Sequence, residues 1–315
     1  MAINDEVLNR LRKDNTVSKI CHDLRLDRET LFNIIKGFKE NNLYFYPKIC
    51  SNGDIVFSQK KQNSDDSINL RVDDGSFSFV SISDTHIGSI YDAPDRLDVI
   101  KEYIDQNEIR LLVNTGDLID GPIHENQSME KRMNSLDDQI KEFINRYPYI
   151  DGTNVVVLGD HDLKYKTDDG YNINKALKNE RIDLKVYSSG AGVVKINSKE
   201  ILLCHDASDT RIKSRITDDQ ILISGHSHMY MNNSRFTSYG STIKVVCPSL
   251  SNLPMYNHNM PGFLKFSLLY RSGELIKVII DNYVFVDNKM YYVGPTTYFM
   301  NENKNSFTRK KKWIC

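Results

Sequence analysis

The segment Phe77-Ser78-Phe79-Val80-Ser81-Ile82-Ser83-Asp84-Thr85-His86 decides how this chain is read. It opens as an alternating apolar strand and closes on Asp-x-His. Working outward, four more apolar runs end in the same manner. Residues 111–113 lead into Gly116-Asp117-Leu118-Ile119-Asp120, and residues 155–158 into Gly159-Asp160-His161-Asp162. Residues 201–203 precede Cys204-His205-Asp206, and residues 221–223 precede Gly225-His226-Ser227-His228. Five of the eight histidines sit in these runs. Carboxylates and imidazoles at the C-terminal ends of buried strands are what an α/β protein uses to hold metal ions in a crevice. Metal-dependent hydrolysis is therefore the expected chemistry.

Composition sets the outer bounds. A chain of 315 residues has room for one large domain and a small one. With 40% hydrophobic and 26% charged residues it reads as an ordinary soluble protein. The formal net charge of -1 gives no whole-molecule argument for a polyanionic partner. Cys21, Cys50, Cys204, Cys247 and Cys315 form no CxxC pair and are odd in number, which suits a reducing compartment. The start MAINDEVLNRL lacks an apolar core of the kind a signal peptide needs, and no apolar run is long enough to span a bilayer. A cytoplasmic protein with no membrane partner is the expectation.

Residues 1–58 differ in style from the rest. Ile3, Val7, Leu8 and Leu11 have helical spacing; Thr16 reads as the N-cap of a second helix and Asp27 as that of a third, with Leu31, Ile34, Ile35 and Phe38 on one face. Two extended runs then flank Ser51-Asn52-Gly53, a hairpin signal. Three helices and a hairpin resemble a winged helix-turn-helix, so Arg28, Lys36 and Lys39 are candidate nucleic-acid contacts. Nine basic against eight acidic residues make this segment only weakly basic, which leaves a protein-docking role open. Residues 59–76 are polar and read as a linker, and 77–285 alternate strands and helices before turning to hairpins. Residues 286–315 read as C-terminal strands with a basic tail. There Arg309, Lys310, Lys311 and Lys312, beside Trp313, could grip phosphates and stack on a base.

The ordered series Asp-x-His, Gly-Asp-x-x-Asp, Gly-x-His-Asp, His and Gly-His-x-His resembles the calcineurin-like metallophosphoesterase family, over about residues 77–270. The resemblance implies a two-sheet α/β/β/α sandwich, here preceded by the small winged-helix domain, with two divalent metals bound by the strand-end loops. It implies that Asp84, His86, Asp117 and His228 hold one metal. Asp117 would bridge to a second, held also by Asp160, His205 and His226. A metal-bridging hydroxide would attack the phosphoester. His161 would stand outside the metal ligands and protonate the leaving alkoxide, with Asp162 or Asp206 fixing its tautomer. Asp120 is taken as a turn residue. His22, His124 and His258 fall outside every motif and are expected not to bind metal, His124 being near enough in sequence to rim the site.

Two departures sharpen the expectation. The family has Asn where this chain has Asp160. The extra negative charge should tighten the second metal, favour hard, oxygen-preferring ions such as Mn²⁺, with Fe, Zn or Mg as the other candidates, and make the bridging water less acidic. The calcineurin-like protein phosphatases carry Arg directly after the Gly-Asp-x-x-Asp run; here that position is Gly121. A phosphodiesterase or nuclease acting on nucleic acid is the leading expectation. The rival is a DNA-binding regulator whose phosphoesterase domain has lost activity through Asp160.

Overall fold

In a computed structural model of the chain, the described residues are 3–60, 67–121, 133, 135–164, 172–217, 220–236, 241–252, 260–301 and 306–309. Two sheets face one another. In the first, Gly75–Ile82, Leu111–Asn114, Thr153–Val157 and Leu184–Tyr187 run parallel. On the far side of Gly75–Ile82 lies an antiparallel series: Gly262–Arg271, Glu274–Val286, Lys289–Asn301 and Ser306–Arg309. The second sheet is ordered Met231–Asn232, Ser241–Val246, Ile221–Ser224, Lys199–Cys204, Ala191–Ile196, Ile68–Leu70, with Arg235–Phe236 pairing Ser241–Val246.

Alternation along each strand builds the layers. Phe79, Leu111, Val113, Val155 and Val157 point between the sheets, where they meet Val194, Ile201, Leu203, Ile221, Ile223, Ile243 and Val245. Their neighbours Val80, Ile82, Leu112, Val156 and Leu158 point outward, onto Leu97, Ile100, Ile104, Ile140, Phe143, Ala176 and Leu177. Those residues belong to the helices Asp95–Gln106, Leu136–Arg146 and Ile173–Glu180. Behind the second sheet, Ile212 of the one-turn helix Thr210–Lys213 covers Leu202, Cys204 and Leu222. The expected α/β/β/α sandwich is present, its second helical layer reduced to that turn among the described residues.

Register brings the motifs to one rim. Ile82 pairs with Asn114 and Asn114 with Val156, so the parallel strands end level. In the second sheet Ile223 pairs with Leu203, which levels the exits toward Gly225 and His205. All five motifs therefore leave the sandwich at the same end.

One expected linker contains a strand, and one expected boundary falls inside another. The segment read as a linker contributes Ile68–Leu70 to the second sheet, with both terminal side chains buried. Three residues are too few for a periodic signal. The division at 285/286 falls within Glu274–Val286, and Lys289–Asn301 continues the first sheet.

The N-terminal segment has helices Ile3–Leu11, Val17–Leu24 and Arg28–Gly37 and the hairpin Tyr46–Ile49/Ile55–Ser58. Thr16 accepts from the Lys19 amide at 3.3 Å and Asp27 from the Thr30 amide at 2.8 Å, so both expected caps form. Its own core gathers Val7, Leu11, Val17, Ile20, Leu31, Phe32, Ile35, Ile55 and Phe57. The third helix is docked inward. Arg28, Phe32 and Lys36, spaced one turn apart, meet the larger domain in turn. Arg28 pairs with Asp151, Phe32 stacks on Tyr149 at 5.8 Å, and Lys36 Nζ lies 2.6 Å from Glu180 Oε2. Arg28 is 9% exposed and lies 3.5 Å from Asp54.

Arg28 and Lys36, read as candidate nucleic-acid contacts, both have their charges paired within the protein, Arg28 buried and Lys36 at the surface. Lys39 stays exposed. The side chain of Arg309 and the residues Lys310, Lys311, Lys312 and Trp313 lie outside what the structure describes, as do His124 and His258. The module sits where Thr153–Val157 begins, Thr153 Oγ1 donating to the Gly53 carbonyl at 2.7 Å. The motif rim is at the other end of that strand, about 17 Å away at ~3.3 Å per residue.

Candidate metal centre

Seven side chains from the five motifs converge in two adjoining groups. Asp84, His86 and His228 form one, and Asp117, Asp160, His205 and His226 the other; within each, ligand atoms lie within 4.8 Å of one another. In the first, His228 Nε2 lies 3.4 Å from Asp84 Oδ1 and 3.3 Å from His86 Nε2. In the second, His205 Nε2 is 3.1 Å from Asp117 Oδ2 and 3.2 Å from Asp160 Oδ1, while His226 Nδ1 is 3.3 Å from Asp160 Oδ1. Asp117 also reaches back, its Oδ2 3.6 Å from His86 Nε2. It is the residue placed between the groups. His226 and His228, two apart, go to different groups.

The backbone makes this convergence possible. Asp84, His86, Asp117, His226 and His228 all have positive φ, at 52°, 43°, 52°, 71° and 60°. Left-handed conformations at non-glycine residues cost of order 1–3 kcal/mol each and gather at functional sites. Aspartate and histidine tolerate them better than most. The motif glycines give clearance. A Cβ on Gly159 would stand 2.1 Å from Asp117 Oδ1, and one on Gly225 1.9 Å from Ser83 Oγ.

Supporting contacts orient the rings. His205 Nδ1 donates to the Thr115 carbonyl at 2.9 Å, which leaves the Nε2 lone pair facing the two carboxylates. His86 Nδ1 lies 3.3 Å from Asp120 Oδ1, a carboxylate behind a candidate ligand imidazole. Asp120 therefore has a place at the site that sequence reading missed; the second Asp of Gly-Asp-x-x-Asp was the available signal. His161 Nδ1 donates to the Asp120 carbonyl at 2.8 Å, and its backbone amide donates to Asp117 Oδ1 at 3.0 Å. Its ring stands edge-on to His86, centroids 4.8 Å apart.

The two carboxylates expected to fix the His161 tautomer do other things. Asp162 is buried and accepts from the amides of Leu118, Ile119 and Gly159, tying two motif loops together. Burial, then the nearby Asp117 charge, push its carboxyl up to about 7. Asp206 caps its own turn, accepting from the Ser208 amide at 2.7 Å.

Charge is distributed unevenly. Burial alone would raise the Asp117 carboxyl, yet His205 and His86 hold it well below the ordinary carboxylate range. The His205 and His226 imidazoles beside it do the same for Asp160. Burial presses on His205 in the opposite sense, but Asp117 and Asp160 raise its imidazole well above the usual value. His228, where burial dominates, is lowered to about 4. The first group is enclosed, with Asp84, His86 and His228 all buried; the second is open at His226 and Asp160, 47% and 41% exposed.

The donor set fits divalent cations. Asp160 Oδ1 is a buried atom with no hydrogen bond, although two imidazole nitrogens lie within 3.3 Å of it. Imidazole nitrogens and carboxylate oxygens this close need a proton or a metal ion between them, and the raised His205 and His226 imidazoles show that the pocket favours positive charge there. Three carboxylates and four imidazoles in two groups suit a pair of ions sharing Asp117.

A family model described as calcineurin-like phosphoesterase matches residues 77–248, more than half of the chain and every motif described above. The chain belongs to the calcineurin-like phosphoesterase family. Among solved structures, the chain matches vacuolar protein sorting 29 from Cryptosporidium parvum. That match has 17% identity and a TM-score of 0.43, covering 72% of this chain and 100% of that one. An archaeal phosphodiesterase matches at 16% identity and a TM-score of 0.40, over 69% and 100% of the two chains. Vps29 from Entamoeba histolytica in complex with Zn²⁺ matches at 15% identity and 0.36, over 69% and 97%. No curated protein sequence matches the chain. As a calcineurin-like phosphoesterase it is a metal-dependent hydrolase by family. Among the described residues no helix is long and apolar enough to cross a membrane.

Proposed function

We propose that the protein hydrolyses phosphodiesters, with nucleic acid as substrate class. Two divalent ions, Mn²⁺ foremost, would be held by Asp84, His86 and His228 on one side and by Asp160, His205 and His226 on the other, with Asp117 shared. The observation that carries this reading is that all seven side chains stand in two adjoining groups joined by Asp117. When bound, a metal pair supplies Lewis acidity and an activated water.

The chain's own residues supply the rest. Asp117 and Asp120 set the spacing and orientation of the ligands. Since His161 Nδ1 is committed to the Asp120 carbonyl, Nε2 is the atom that carries a proton to the leaving alkoxide. Gly121 supports diester over monoester chemistry. Its amide donates to Gln139 Oε1 at 2.9 Å and its carbonyl accepts from Gln139 Nε2 at 2.9 Å. A glycine has no cationic side chain to meet the second charge of a monoester. The N-terminal module serves this chemistry as a brace at the far end of the sheet. Hydrolysis of bis(p-nitrophenyl) phosphate with added Mn²⁺ tests the proposal. Turnover abolished by a chelator supports it, and a metal-loaded protein that leaves this diester intact while cleaving p-nitrophenyl phosphate overturns it.

A further inference from the structure

Beside the metal centre, at the open edge of the sandwich, lies a cavity of about 540 Å³ that the chemistry above does not use. One wall is Val186 and Tyr187, at the last strand of the first sheet; the other is Ala191, Val193 and Lys195 of the second. Ser188 and Ser189 form its upper end and Ser67 its lower. The upper end is tied by backbone hydrogen bonds to the segments that carry the second metal group, although none of the seven ligand side chains lines the slot. The Leu158 amide donates to the Tyr187 carbonyl at 3.0 Å, and the His205 amide to the Gly190 carbonyl at 3.2 Å. From there the cavity follows the strand from Ala191 to Lys195, a run of about 13 Å at ~3.3 Å per residue.

Three cations line this slot, Lys178, Lys195 and Arg215, against one acid, Glu200. Lys195 Nζ is 2.7 Å from Glu200 Oε1, whereas Lys178 and Arg215 have no ion-pair partner among the described residues. The surplus is positive in a protein of formal net charge -1. The cations come from three separate elements: Lys178 from Ile173–Glu180, Lys195 from Ala191–Ile196, and Arg215 from just after Thr210–Lys213. Convergence from three elements on one slot is not a feature of a single charged helix face. The slot starts near the loops that carry the more exposed of the two metal groups. Tyr187 gives no stacking platform. Its ring is 6% exposed and packs so closely on Gly192 that a Cβ there would stand 2.2 Å from it.

We infer that this slot is a subsite for the sugar-phosphate backbone of single-stranded nucleic acid, holding phosphates that flank the scissile one. The inference rests on the nucleic-acid reading above. A positive groove that tracks a backbone without reading bases is how sequence-independent single-strand sites are built. A slot with one wall at the edge strand of the first sheet and the other along Ala191–Ile196 of the second suits an extended single strand.

The test uses the full chain with Lys178→Gln, Lys195→Gln and Arg215→Gln combined. Binding of a fluorescent single-stranded oligonucleotide is followed by anisotropy across salt concentrations in EDTA, which prevents cleavage. At about 0.7 per phosphate contact, losing three contacts should reduce the slope of log K against log salt by about 2. With Mn²⁺, KM for the oligonucleotide should rise at least ~10-fold, while bis(p-nitrophenyl) phosphate, too small to reach the slot, should be hydrolysed as before. An unchanged slope and KM would overturn the subsite. Duplex binding as tight as single-strand binding, and equally dependent on the three residues, would overturn the single-strand assignment. Failure of the parent reading would show separately, as a wild-type protein that does not hydrolyse the small diester.

Discussion

Lys164 Nζ lies 2.8 Å from Asp160 Oδ2, one helical turn on, while the other oxygen of the same carboxylate faces His205 and His226. The family's neutral Asn is thus replaced by an ion pair. The added negative charge is partly offset by a lysine that the sequence motif does not include. The pair is close to half exposed on each side, so the offset is modest.

Asp160→Asn should weaken the second metal by ~10-fold or more, the usual scale for altering a metal-site hydrogen-bonding or charge partner. Lys164→Ala should tighten it a few-fold, the scale of an exposed ion pair. In the double variant the lysine effect should vanish, because there is no carboxylate left to offset. Titration calorimetry of Mn²⁺ binding reads all three. A Lys164→Ala effect that persists when Asp160→Asn is also present would dissociate Lys164 from the site.

His161→Ala should retain two equivalents of metal and lose ~10²–10⁴ in turnover. Because a ligand atom of His161 lies within 4.8 Å of those of His86 and Asp117, the metal count decides its role. Two equivalents by elemental analysis keep it as proton donor; one equivalent would make it a ligand. The loss should also shrink for diesters with good leaving groups, which need no proton.

The two ions should differ in hold. Asp84, His86 and His228 are buried, whereas His226 and Asp160 are open to solvent. A limiting chelator should strip one equivalent well before the other, and His226→Ala should lower the stoichiometry from about two to about one. Asp120→Ala, which removes the carboxylate behind His86, should weaken the enclosed ion by ~10–100-fold. Simultaneous loss of both ions in every variant would contradict the asymmetry.

Arg28→Ala should destabilise the protein by about 3 kcal/mol, because it leaves Asp54 buried without its guanidinium. Denaturant melting measures this. Affinity for duplex DNA should not change, since Arg28 is turned into the interface with Asp151. A variant of normal stability with impaired DNA binding would restore the helix to a recognition role.

The site was legible to the extent that its residues are contiguous with strands. Asp84, His86, Asp117, Asp160, His205, His226 and His228 each follow an apolar run within a few positions, and strand register does the rest. Asp120 and Lys164 were not legible as partners, since a polar residue in a turn looks the same whether it faces a ligand or water. The pairing of Arg28 was not legible for a related reason. Its position on a helix indicated a face, but only the packed neighbour decided whether that face was solvent.

The sequence by itself determined the two-sheet sandwich, the caps of the N-terminal helices and the order in which the chain delivers its carboxylates and imidazoles to one rim. Period-2 alternation and turn chemistry are local, and level strand ends follow from burying both faces of a parallel sheet. The tertiary structure alone decided which long-range charges are paired internally, with Arg28 on Asp151 and Lys36 on Glu180. It alone joined Ile68–Leu70 to a sheet edge and gathered Lys178, Lys195 and Arg215 around one slot. Electrostatic pairing acts through space, across separations of up to 144 positions for Lys36 and Glu180, and no local pattern encodes it.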